Sequence, residues 1–242
     1  MDKFAQARAE EMKYHEDFYA SNALFEPGTW LSKPVKIVME MLEALDVSGI
    51  RILDLGCGVG RNSIPIAQKI KEHEGTVTCI DLIPKAIELL EENAKTYEVE
   101  DCLLAEASDV EFYHIEPDHY NYIIACSCLE HVSSVEAFET VVARMIKGTK
   151  NGGINTILMS TDIQDYDLAT GELTEGLIEL NLETHKAYSM LEELYRGWEI
   201  LMERDLPQTI TEQKYGKQIE FRSNWVTFVA RRVDGVGSIE TL

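Results

Sequence analysis

The run Arg51-Ile-Leu-Asp-Leu-Gly-Cys-Gly-Val-Gly-Arg61 is a short apolar stretch that ends in an acid, passes into a glycine turn and opens a helix near Asn62. Glycines at 56, 58 and 60 let the backbone turn sharply and approach a ligand closely. A strand, a tight loop and a helix N-terminus in that order suit a nucleotide-like ligand. Asp54 narrows the choice, because its carboxylate repels a phosphate and attracts a cationic amino-acid group. Gly56, Cys57 and Gly58 are the expected contact surface of the loop.

Other residues fall in register with that loop. Asp81 ends the next apolar run, about 20 residues on, where a carboxylate accepts hydrogen bonds from ribose hydroxyls. Leu82 follows it and can pack on a base. After a third run come Glu106, suited to an adenine amino group, and Ala107, whose N–H can meet a ring nitrogen. The spacing of the glycines argues against a dinucleotide. A G-x-G-x-x-G fingerprint would place its third glycine at Arg61, and the Gly-Lys-Ser/Thr ending of a phosphate loop is absent. S-adenosylmethionine has no phosphate and carries both an ammonium and a sulfonium, so it fits Asp54.

The run Leu53–Ser63, with Cys79-Ile-Asp81 behind it and Tyr120–Val132 further on, resembles the class I S-adenosylmethionine-dependent methyltransferases. Gly60-Arg-Asn-Ser63 and Tyr195-Arg-Gly-Trp-Glu-Ile200 are similar to the tellurite-resistance methyltransferase group within that class. The resemblance implies that Asp54, Gly56, Gly58, Asp81, Leu82, Glu106 and Ala107 line the cofactor. It also implies that Cys126 offers a carbonyl to the cofactor ammonium and that Arg61 sits near its methionine end. The product would be S-adenosylhomocysteine.

These residues need elements to position them. Strands are expected near 51–56, 76–81, 101–106, 120–127 and 153–160, with helices over 60–73, 84–97 and 133–147 between them. Such alternation implies an α/β fold: a doubly wound, mostly parallel sheet, the Rossmann-like methyltransferase fold. Helices are also expected over about 2–19 and 34–45. Segment 162–176 reads as irregular and 177–195 as partly helical. Runs 197–203 and 224–230 read as an antiparallel strand pair at the C-terminal end, joined by a polar segment, 207–222. The expected organisation is one domain, 1–242, with an N-terminal helical lid (1–33), a cofactor-binding core (34–161) and an acceptor-side elaboration (162–242).

Methyl transfer from a sulfonium depends chiefly on alignment. His131 is the candidate catalytic base; its alternative role is to cap the next helix. Tyr14, Tyr19, Phe25 and Trp30 are candidates for an aromatic lid, with Tyr19 and Trp30 the cofactor contacts. Cys126, Cys128 and His131 have donor types that suit a soft metal, but two small core thiols and no metal site is the expectation.

Composition sets the partner class. The 43 acids against 22 bases leave a formal charge of −21. That surface repels nucleic acid and anionic membrane, so the expected partner is a small-molecule substrate. Five scattered cysteines and an N-terminus without the apolar core of a signal peptide fit a cytoplasmic protein with reduced thiols. Two other functions share these features: a non-catalytic sensor of S-adenosylmethionine or S-adenosylhomocysteine, and an NAD-linked oxidoreductase, which Asp54 and Arg61 disfavour.

Overall fold

The computed structural model describes residues 3–174, 178–214 and 216–233. A seven-stranded sheet in the order β3-β2-β1-β4-β5-β7-β6 organises the chain. Its strands are β1 (Arg51–Leu55), β2 (Thr76–Asp81), β3 (Leu103–Ala107), β4 (Tyr120–Cys126), β5 (Thr149–Asp167), β6 (Glu199–Lys214) and β7 (Lys217–Arg231). The first five run parallel, and β7 is antiparallel to both neighbours. The expected α/β sheet with an antiparallel C-terminal pair is therefore the observed one.

Among the described residues six α-helices accompany the sheet: α1 (Lys3–Ser21), α2 (Lys36–Glu43), α3 (Ser63–Ile70), α4 (Pro84–Thr96), α5 (Val135–Gly148) and α6 (Thr184–Leu194). Local chemistry sets their starts. Pro84 occupies the first turn of α4, where its missing N–H costs nothing. The Ser134 side chain accepts from Ala137 N at 3.1 Å and caps α5.

Alternation along the strands feeds two cores. Leu53, Leu55, Ile123 and Ala125 face α5 and α6 through Phe138, Val142, Ala187 and Leu191. Ile52, Tyr122 and Ile124 face α2, α3 and α4 through Val38, Ile64 and Leu90. A third, smaller cluster joins Tyr19, Leu31, Val59 and Ile83 beneath α1.

The C-terminal third departs from the sequence expectation. Segment 162–176 was expected to be irregular, yet β5 continues to Asp167, with a bulge between Thr161 and Gln164. Segment 207–222 was expected to be a polar connection. It is instead the outer half of a long hairpin, paired from Glu199↔Arg231 to Lys214↔Lys217. These residues are polar because much of the hairpin is exposed, while backbone pairing makes the strands. The expected boundaries at 2 and 177, and positions 175, 176, 215 and 234–242, lie outside the described residues.

Buried Tyr122 ties α2 to the sheet. Its hydroxyl donates to Val38 O at 3.1 Å and lies 3.1 Å from Thr156 Oγ1. Tyr122→Phe leaves that carbonyl without its donor. Urea unfolding should show a loss of about 1–2 kcal/mol with an unchanged denaturant slope.

Candidate active site

The order of strands reverses at β1 and β4, and a crevice opens beyond their carboxyl ends. A cavity of about 710 Å³ lies there, within the range of about 300–1,000 Å³ usual for small-molecule sites. The glycine loop forms its floor. Gly56 N and Cys57 N donate to Ile80 O at 2.8 and 3.1 Å, which staples the loop to β2. Gly58 N donates to Asp81 Oδ2 at 2.7 Å, and Ile83 N to Asp81 Oδ1 at 2.9 Å. Each carboxylate oxygen keeps acceptor capacity toward the cavity.

Two glycines are required by their neighbours. Gly56 has φ +72°, and a Cβ there would lie 2.6 Å from Cys128 Cβ. Gly58 has φ +53°, and its Cβ would lie 2.8 Å from the Tyr19 hydroxyl oxygen. The loop thus touches α1 directly.

Helix α1 supplies the facing wall. Phe18 stacks on Trp30 with centroids 5.0 Å apart, and Tyr19 meets the same indole edge-on at 6.1 Å. The Arg61 guanidinium sits 5.6 Å from the Trp30 ring and donates to Lys33 O at 2.8 Å. Tyr14 also lines the cavity. Phe25, expected in the same lid, packs on Tyr97 at 5.4 Å instead and does not line the cavity. Phe25 itself adopts a left-handed backbone, and its N–H donates to Leu31 O, which carries it away from α1.

A belt of charge completes the site. Arg8 holds Asp109 at 2.5 Å and donates to His131 O at 2.8 Å. His131 Nδ1 lies 2.5 Å from Glu179 Oε2. Burial works to lower the His131 pKa, but the Glu179 hydrogen bond and the charges of Glu11 and Glu130 outweigh it and push it up to about 9. At neutral pH the ring therefore carries a proton. Lys214 stands 3.3 Å from both Glu11 Oε2 and Glu212 Oε2. Of the other C-terminal bases, Lys217 pairs with Asp167, Arg222 with Glu220, Arg231 with Glu199 and Arg232 with Asp118.

The fold brings Tyr19, Trp30, Gly56, Cys57, Gly58, Arg61, Asp81, Leu82, Cys126 and His131 to one cavity. Asp54, Glu106 and Ala107 do not line it. Asp54 lies fully buried beneath the loop, with Ser63 Oγ donating to its Oδ2 at 2.5 Å. Glu106 and Ala107 end β3 on the exposed side. Glu11, His15, Glu130, Asp165 and Glu179 also line the cavity and were not singled out for chemistry from the sequence. The Glu11–His15 spacing of one helical turn was the available signal.

The family model for a methyltransferase domain matches residues 52–153, the stretch that carries β1, the glycine loop and Asp81. Residues 52–153 are thus similar to methyltransferase domains. The ubiquinone biosynthesis O-methyltransferase of Rickettsia felis is 26% identical to this chain over 162 residues, which are 66% of this chain and 62% of that protein. The match thus spans less than two thirds of that relative's length. TehB from Haemophilus influenzae shares the fold at a TM-score of 0.63 and 20% identity, over 92% of this chain and 67% of that one. So does 1,6-didemethyltoxoflavin-N1-methyltransferase from Burkholderia thailandensis, at 0.54 and 19%, over 96% of this chain and 89% of that one. No described helix is long and apolar enough to cross a membrane.

Asp54 gives the fold a measurable pH signature. Burial raises its pKa, the Ser63 hydrogen bond opposes this, Asp81 adds to it, and the result is about 7. The folded state holds this proton more tightly than the unfolded chain. Its contribution is complete below about 3.9 and is lost as pH rises through about 7. Asp54→Asn should therefore gain several degrees of melting temperature on the parent between pH 5 and pH 8. Circular dichroism melts check this, and a difference that does not change with pH contradicts it.

Proposed function

We propose that this protein transfers the methyl group of S-adenosylmethionine to a small-molecule acceptor held between the glycine loop and α1. One observation carries the reading most directly. The Asp81 carboxylate fixes the Gly58 N–H and still faces a cavity with room for both a cofactor and an acceptor. Asp81 would take the ribose hydroxyls and Leu82 one face of the adenine. Glu106 and Ala107, on the exposed end of β3, would meet the adenine edge only where it leaves the cavity.

The methionine end would lie over Gly56, Cys57 and Gly58, with the Cys126 carbonyl toward its ammonium. Arg61 would stand near its carboxylate. Asp54, beneath the loop, would act by bracing the start of α3 through Ser63 rather than by contact. The sulfonium would then face Tyr19 and Trp30, which exclude water and offer ring faces to the cation. The acceptor would occupy the side bounded by His131 and the β6–β7 hairpin. A ring held protonated by Glu179 is a hydrogen-bond donor to the acceptor before it is a base.

The domain division follows the same logic: 1–33 as lid, 34–161 as cofactor core and 162–242 as acceptor side. The domain match, the O-methyltransferase relatives and the bound S-adenosylhomocysteine of the Burkholderia thailandensis neighbour support this reading. The acidic surface supports a small acceptor over nucleic acid.

Calorimetry should show S-adenosylhomocysteine binding with one site and no binding of NAD. Asp81→Ala should weaken it at least about 30-fold, as expected for a lost pair of hydroxyl contacts to a charged group. Unchanged affinity in a folded variant contradicts the assignment. Incubation with S-adenosylmethionine and a panel of phenols, amines and thiols should release S-adenosylhomocysteine with at least one class. Binding without release across the panel would favour the sensor.

A further inference from the structure

Glu11 and His15 lie one turn apart on α1 and leave the helix on one face. His131 reaches the same point from the turn after β4. One donor atom of each lies within 4.8 Å of the others, the only such trio of metal-ligating side chains among the described residues. Two imidazoles and a carboxylate are a ligand set for divalent transition ions.

Neighbours outside the trio already orient its members. Glu179 holds His131 Nδ1, which leaves Nε2 for the trio, where an ion would displace the ring's second proton to solvent. A carboxylate behind a ligating imidazole fixes ring and tautomer in this way at metal sites. Lys214 holds Glu11 Oε2, and Glu11 Oε1 faces His15 Nε2 at 3.1 Å. His15 Nδ1 is buried without a hydrogen-bond partner, and so are Glu130 Oε2 and Asp165 Oδ1 on the same cavity wall. Orphaned buried polar atoms are costly, and a cation nearby relieves the carboxylates among them.

We propose that Glu11, His15 and His131 bind one divalent transition-metal ion of the zinc class at the acceptor end of the cavity. Bonds of about 2.0–2.2 Å require the donor atoms to draw inward, which side-chain rotation on α1 allows. Three protein ligands leave a position open toward the cavity. The ion's role there rests on the methyltransferase reading, whereas its binding does not. A hydroxyl of the acceptor would take the open position and lose its proton to solvent. Its oxygen would then bond the methyl carbon as the carbon–sulfur bond breaks, releasing S-adenosylhomocysteine.

Titration of the full chain with Zn²⁺ and with Co²⁺, followed by calorimetry, tests the site with and without S-adenosylhomocysteine. One ion should bind per chain in both. His15→Ala and Glu11→Gln should each weaken binding at least about 100-fold while retaining circular dichroism and S-adenosylhomocysteine affinity, and Cys128→Ser should bind as the parent does. Absence of binding overturns the proposal, as does binding that survives both α1 variants or is lost with Cys128→Ser. Ion binding without S-adenosylhomocysteine binding would uphold the metal site and remove the methyltransferase reading. The reverse would remove the metal site alone.

Discussion

The carboxylate of Asp81 is the contact on which the site depends. It receives Gly58 N–H with one oxygen and Ile83 N–H with the other. It thereby joins the end of β2, the turn into α4 and the glycine loop after β1. Burial pushes its pKa up, and the two backbone donors oppose that rise. A carboxylate so placed is expensive unless its lone pairs are used. The same lone pairs are those a ribose would share. Loop geometry and proposed cofactor recognition thus draw on one group.

The opposite wall is built from parts of the chain that are far apart in sequence. Helix α1 meets the loop through Tyr19 and Gly58, the turn after β4 through Arg8 and His131, and the hairpin through Tyr14, Glu11 and Lys214. These contacts are charged and aromatic rather than aliphatic. Apart from the small apolar cluster around Tyr19 and Leu31, α1 can lift without opening the two large cores, which suits a wall that must admit a cofactor and an acceptor. Both proposals, methyl transfer and the metal ion, place their chemistry at this seam.

The parallel half of the fold was readable because its strands are continuous apolar runs separated by helices with clear caps. Ile52–Leu55 and Tyr122–Cys126 have no polar neighbour to confuse their period except Asp54. The hairpin was not readable for the opposite reason. Residues such as Glu203 and Asp205 are polar strand residues, held by backbone pairing to β7 rather than by burial. Pro207, within that strand, reads as a break, yet β6 is the edge strand and needs no donor there. In the site, residues next to the glycine loop were visible because loop and strand ends carry fixed spacing. Glu11, His15 and Glu179 were not, since their roles arise from packing between α1 and distant turns. Phe25 was misplaced because it lies in the loop after α1, where a left-handed backbone and a bond from its N–H to Leu31 O turn it onto Tyr97.

In the proposed function the glycine loop and α1 close on the same ligand. Amide hydrogen exchange with and without S-adenosylhomocysteine measures this directly. Slowed exchange in residues 56–62 together with residues 12–19 is the predicted result. Slowed exchange in the loop with α1 unchanged would contradict it.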